Sequence, residues 1–267
     1  MARVLKGQAG APAGDVTVAV GDDFVATVEL HRPPDNYFDQ AMLRALADAY
    51  QALDPDPRCR AIVLCSEGRH FCAGADLTGR SRPASGPVSP AVLYQEAVRL
   101  FEAATPVVAA IQGAAVGGGL GLACSADFRV GCPQARFAAN FSRLGFHHGF
   151  GLSVTLPAIV GQQRSLELLY TGRRIGGAEA ERIGLCDRLV PAEQVRSAAH
   201  ALAADIAAAA PLAVRSIRAT MRRGLAGQVR AAAQREAAEQ DRLRDTADWR
   251  EGVRAMAERR EPRFEGR

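Results

Sequence analysis

At 267 residues, 48% of them hydrophobic, the chain is long enough for one large globular core and too apolar to be disordered. Its 33 basic and 29 acidic residues leave a net charge of +4, too weak and too interspersed for a nucleic-acid partner. Six cysteines without a CxxC pair argue against a disulfide scaffold or a thiolate metal site and predict buried free thiols in a reducing compartment.

In chain order, Met1–Ala13 reads as a frayed terminus. Val16–Val20 and Val25–Leu30 flank Gly21-Asp22-Asp23 as a predicted hairpin. Asp39 is placed to cap a helix through Leu53, with Met42, Leu43, Leu46, Ala49 and Tyr50 on one face. Ala61–Cys65 is a continuous apolar strand, and strand–helix–strand order predicts a parallel crossover and an α/β sheet. Ser66–Leu77 is a Gly/Ala-rich loop, and Gly79–Pro90 reads as a mobile loop or lid. A helix follows over Pro90–Ala104. Short strands are expected over Asp127–Gly131, Arg136–Ala139 and Leu185–Val190, and helices over Leu152–Val160, Gln162–Thr171 and Ala178–Ile183. From Val195 to Met256 the Ala- and Arg-rich spacing predicts at least three further helices, broken at Pro211 and near Gly224–Gly227. With no signal peptide and no apolar run of about 18 residues, the expectation is a cytoplasmic protein with no membrane partner.

The stretch that carries chemistry is Gly113–Asp127, GAAVGGGLGLACSAD, between the buried strand Pro106–Gln112 and a helix over Leu120–Ala126. Glycines allow close backbone approach, and a helix start leaves N–H groups unpaired with the positive end of the helix dipole behind them. Such groups stabilise developing negative charge, as in an oxyanion hole. A glycine hinge that merely packs helix on strand fits the same residues. A dinucleotide site does not, because the GxGxxG spacing and the following ribose-binding acid are missing.

FCAGADL at Phe71–Leu77 and GAAVGGGLGLACSAD together resemble the enoyl-CoA hydratase/isomerase (crotonase) superfamily. HRPPDN at His31–Asn36, LYTGRRIGGAEAERIGLCDRLVP at Leu169–Pro191 and WREGVRAMAERREPRF at Trp249–Phe264 extend the likeness over nearly the whole chain. The resemblance implies an α/β fold with a crotonase-like ββα spiral core over residues 1–195. It implies a helical C-terminal trimerisation region over 196–267, with homotrimers or hexamers as the assembly. It also implies an acyl-CoA substrate with no permanently bound cofactor. The thioester oxygen would be held by the backbone N–H groups of Ala75 and Gly118. Arg32, Arg69, Ala73, Asp76 and Arg259 match positions near coenzyme A, although each arginine reads equally well as a solvated charge.

Hydratases of this family carry two glutamates, and here the matching positions are Gly121 and Phe141. Between Glu102 and Glu167 the only acid is Asp127, which reads as structural. Water addition needs a base for the water and a proton for the α-carbon, and neither Gly121 nor Phe141 supplies one. In GFHHGFG, His148 falls where naphthoate synthases of the family place a functional aspartate, and it is the candidate acid/base, with His147 behind it. Pocket-shaping histidines are the bland alternative. No carboxylate or cysteine spacing supports a metal. Phe141, Phe146 and Phe150 are expected to line an acyl pocket. His70 reads as a coenzyme-side or surface residue and Cys72 as packing rather than a nucleophile. Two functions follow: an enolate-type acyl-CoA enzyme, or a weak or inactive acyl-CoA-binding paralogue or scaffold subunit.

Overall fold

The computed structural model describes residues 14–75 and 89–267. The expected frayed terminus, nearly all of the expected lid and Asp76 lie outside the described residues.

The hairpin forms as read, from β1 (Val16–Val20) and β2 (Val25–Leu30). Asp39 accepts a hydrogen bond from the Met42 N–H and starts α1 (Gln40–Leu53), whose Met42, Leu43, Leu46 and Tyr50 are buried. The chain continues through β3 (Ala61–Ser66), α2 (Pro90–Glu102), β4 (Val107–Ile111), β5 (Ala114–Val116) and α3 (Gly118–Ser125). Then come β6 (Phe128–Gly131), β7 (Arg136–Ala138), α4 (Leu152–Val160) and α5 (Gln162–Thr171). β8 (Arg174–Gly176), α6 (Gly177–Arg182) and β9 (Arg188–Leu189) lead into the C-terminal helices. These are α7 (Val195–Ala208), α8 (Pro211–Met221), α9 (Leu225–Arg244) and α10 (Ala247–Glu258).

Six strands form one sheet in the order β1-β2-β3-β4-β6-β9, parallel from β2 onward. A second sheet, β5-β7-β8, stands at the exit of β4. Burial on both faces explains the unbroken apolar run of β3 and β4. α7 crosses the large sheet on Val195, Ala199, Ala203 and Ala207, small residues four apart that let a helix approach closely. α9 packs along α2 and reaches α4, so α7 and α9 both pack on the core.

Two features differ from expectation around the glycine run. A three-residue strand, β5, intervenes between β4 and the glycines, and α3 begins at Gly118 rather than Leu120. Gly118 and Gly119 are helical despite poor propensity because there is no room for a side chain. A Cβ on Gly119 would lie 2.0 Å from the Cys72 carbonyl oxygen. α3 is buried nearly all round, which erases the amphipathic signal that marks a helix start.

Asp127 is structural, as read. It accepts the Val107 N–H at 2.8 Å and pairs with Arg218 at 2.9 Å and Arg222 at 2.6 Å, tying α8 to the sheet. The three side chains are 10–15% exposed. Asp127→Ala is therefore expected to lose about 3–5 kcal/mol in chemical denaturation, because it strands two largely buried guanidinium groups.

Candidate active site

Two loops meet at the glycine junction. Cys72 bridges to Ala115, its N–H donating to the Ala114 carbonyl and its carbonyl accepting from Val116 at 3.0 Å. This clamps the 72–75 loop against the start of α3. A Cβ on Gly74 would lie 3.3 Å from the Gly118 nitrogen, a measure of how close the two turns come. Phe38 donates its N–H to the Gly74 carbonyl at 3.0 Å, so this bridge leaves the Ala75 N–H outside it. Gly118 opens α3, and among the described residues its N–H has no backbone acceptor. Among the described residues, then, neither the Ala75 nor the Gly118 N–H has a backbone acceptor, and the two come from adjacent turns.

The wall of the site is aromatic. The Phe38 ring rests on Gly118 and stands 5.6 Å from the Phe150 ring. Phe141 lies beside Gly117, 5.5 Å from the Phe146 ring, which in turn meets Trp249 of α10 at 4.5 Å. Phe150 is fully buried with φ +63°, and its ring fills the volume over Gly121. A Cβ on Gly121 would sit 2.5 Å from the Phe150 Cβ. The glycine is thus part of a packing arrangement that excludes a glutamate there.

His147 and His148 stack at 4.1 Å, and the His148 ring meets the edge of Phe141 at 6.5 Å. The His148 Nε2 is 2.8 Å from Ser153 Oγ, in the first turn of α4. Ser153 Oγ lies 2.7 Å from Glu236 Oε1. Glu236 arrives from α9, is fully buried, and accepts the N–H of Gly151 at 2.8 Å and of Ser153 at 3.0 Å. Its carboxylate approaches His148 Nε2 to 3.9 Å. Sequence reading missed Glu236, although a lone glutamate on a buried Ala-rich helical face (Ala233, Ala237) is a usable signal. Burial pushes the Glu236 carboxyl above the usual range, against the pull of its three donors. Burial, with His147 alongside, lowers the His148 imidazole to about 4.

An unfolded histidine titrates near 6.5, so the contribution of neutral His148 is fully present above that pH and is lost as pH falls toward 4. Up to about 3 kcal/mol is at stake for a shift of this size. In melting curves against pH, His148→Gln is expected to lose less stability than the parent between pH 6.5 and 4.

The other predicted residues are dispersed. Arg32 bonds Asp15 at 2.6 Å and Asp39 at 3.0 Å, so a phosphate would have to displace two carboxylates. Arg69 is exposed, and the Ala73 N–H is taken by the Asp35 carbonyl at 2.9 Å. Arg259 is exposed at the C-cap of α10 with φ +56°. His70 accepts the Ala114 N–H at 3.3 Å and supports the clamp. All six cysteines are buried and free, and burial pushes the Cys72 thiol up to about 12, which removes it as a nucleophile. No group of three metal-ligating side chains occurs among the described residues.

The family model for enoyl-CoA hydratase/isomerase matches residues 21–267. The chain belongs to the enoyl-CoA hydratase/isomerase family. Its fold is that family's: the crystal structure of an enoyl-CoA hydratase/isomerase from Pseudoalteromonas atlantica T6c superposes with a TM-score of 0.84 at 28% identity, covering 94% of this chain and 100% of that one. Carnitinyl-CoA hydratase from Mycobacterium avium gives 0.84 at 30% identity, with 96% and 100% covered. A "probable enoyl-CoA hydratase" of Bacillus subtilis is 32% identical over 256 residues, 94% of this chain and 98% of its own. Within this enoyl-CoA hydratase/isomerase family member, no single helix among the described residues is long and apolar enough to cross a membrane.

Proposed function

We propose that this family member forms a thioester enolate from an acyl-CoA, using the N–H groups of Ala75 and Gly118 for the oxygen and His148 for the proton. The observation that carries the reading is the close approach of the 72–75 turn to the start of α3, which supports placing the two N–H groups on one oxygen. Family membership supplies the coenzyme A thioester as substrate class. The aromatic wall of Phe141 and Phe146 suits an apolar acyl group, with Phe150 packed behind it. Arg69, Asp76 and Arg259 are the remaining candidates for the coenzyme, and Arg32 the one whose charge is already met.

In this mechanism the His148 imidazole removes the α-proton as the thioester oxygen becomes an oxyanion, then returns a proton to carbon. Two-glutamate hydration is not expected, because Gly121 and Phe141 carry no carboxylate and a side chain at 121 would run into Phe150. Assembly as a trimer through the C-terminal helices fits the exposed Leu212, Ile217 and Met221 on α8, a helix with no buried residue.

In heavy water the protein is expected to wash deuterium into the α-position of butyryl-CoA without hydrating crotonyl-CoA, and His148→Ala to slow exchange by about 100-fold or more. Binding of both thioesters with no exchange would favour instead the inactive acyl-CoA-binding paralogue, which the missing glutamates also fit.

A further inference from the structure

We propose that Glu236 and Ser153 are positioning residues that hold His148 in its Nε2–H tautomer and leave the Nδ1 lone pair free to take the proton. The inference rests on the reading of His148 as proton carrier and deepens it.

Each oxygen of Glu236 already accepts a backbone N–H, Oε2 from Gly151 and Oε1 from Ser153. Burial raises this carboxyl, and a backbone donor on each oxygen opposes the rise and stabilises the ionised form. An ionised carboxylate has no proton to give, so at the 2.7 Å contact the Ser153 hydroxyl donates to Oε1. That uses the only hydroxyl proton. Ser153 Oγ then presents lone pairs to the imidazole 2.8 Å away, and His148 must meet them with an N–H at Nε2. A neutral imidazole has one N–H. Nδ1 is therefore bare, and among the described residues it has no hydrogen-bond partner.

The arrangement also serves the step that follows. When Nδ1 takes a proton the ring becomes a cation, and the buried Glu236 charge stands 3.9 Å from Nε2. The carboxylate, hydroxyl and imidazole thus form a line running from α9 through the start of α4 to the loop beside Phe141. Glu236 orients through Ser153 and does not itself meet the substrate. The ring is further fixed by its stack on His147, whose carbonyl accepts from Gln240 of the same helix α9 at 2.8 Å.

The test is the tautomer, read by nitrogen NMR of the full-length protein labelled at its histidines. The wild type at pH 7.5 is expected to give one neutral Nε2–H signal set for His148, assigned by its loss in His148→Gln. Ser153→Ala and Glu236→Gln are expected to mix the two tautomers. In butyryl-CoA exchange both variants should lose about 100-fold in kcat with KM little changed, since misplacing a group by about an ångström costs that much. Ser153→Thr, which keeps the hydroxyl, should restore both the signal and the rate. Ser153 is solvent-accessible, so its substitution does not threaten the fold even where loss of the Glu236 contacts to α4 destabilises the protein. An Nδ1–H tautomer in the wild type, or an unchanged tautomer in Ser153→Ala, overturns the relay. Exchange that persists at full rate in both variants overturns it too and leaves His148 as carrier. A wild type with the Nε2–H tautomer but no exchange supports the relay and sinks the proposed function instead.

Discussion

Gly119→Ala is expected to slow α-proton exchange by roughly 100-fold and to cost about 1–3 kcal/mol of stability. The new methyl carbon would lie 2.0 Å from the Cys72 carbonyl oxygen and 2.7 Å from its carbon. That carbonyl is not free to swing away, because it accepts the Val116 N–H, while the Cys72 N–H is held by Ala114. The clash can be relieved only by separating the 72–75 turn from the start of α3. Such a shift moves the Ala75 and Gly118 N–H groups apart, and an oxyanion site depends on their separation. The control is Gly227→Ala in the first turns of α9, where nothing lies within 4 Å of the added carbon. There the change should leave exchange intact and raise stability by about 0.5–1 kcal/mol, the usual gain over glycine in a helix.

Gly121→Glu, at the position that the family resemblance matches to a hydratase glutamate, is expected to abolish function rather than create hydration. It should cost about 3 kcal/mol or more in denaturant midpoints, since it combines overpacking with a buried carboxylate. The Cβ alone would overlap Phe150 at 2.5–2.8 Å. Phe150 cannot readily step aside: it is fully buried against Phe38 and Tyr94, with a left-handed backbone between Gly149 and Gly151. Replacing Phe150 with Gly suits that backbone and empties the volume. Gly121→Glu combined with Phe150→Gly is therefore expected to be more stable than the sum of the two single changes, a coupling of contacting residues. A Gly121→Glu protein as stable as its parent and active on crotonyl-CoA would overturn the packing account of the missing glutamate.

Much of this was legible in the chain itself. Periodicity placed α4 and α5 residue for residue, because both run between glycines that stop them cleanly. The cap at Asp39 and the hairpin at Gly21-Asp22-Asp23 follow from local chemistry and came out as read. Two strands did not. β5 lies inside the small-residue glycine run and β8 in the short link between two helices, neither with an apolar run of its own, and their pairing to β7 is fixed by the fold.

The glycine junction was legible as a place and not as a geometry. Its helix start was misplaced by two residues because helical glycines are chosen there by contact with Cys72 and Phe38, not by propensity. Glu236 was legible as a buried glutamate, but its partner was not. It meets Gly151 from 85 residues away, and only the packing of α9 against α4 makes it a neighbour of His148. The fold delivers the carboxylate from α9, not from the loop that carries His148.

The claim on which the rest depends is that Ala75 and Gly118 grip the thioester oxygen. The direct measurement is the carbonyl stretch of butyryl-CoA, labelled with carbon-13 at the thioester carbon, in difference infrared spectra of the bound complex. Two N–H donors polarise the carbonyl, so the band should fall in frequency on binding, and most of that fall should vanish in Gly119→Ala although the ligand still binds. A bound carbonyl at the same frequency as the free thioester in water, or a lowered one untouched by Gly119→Ala, would contradict the account.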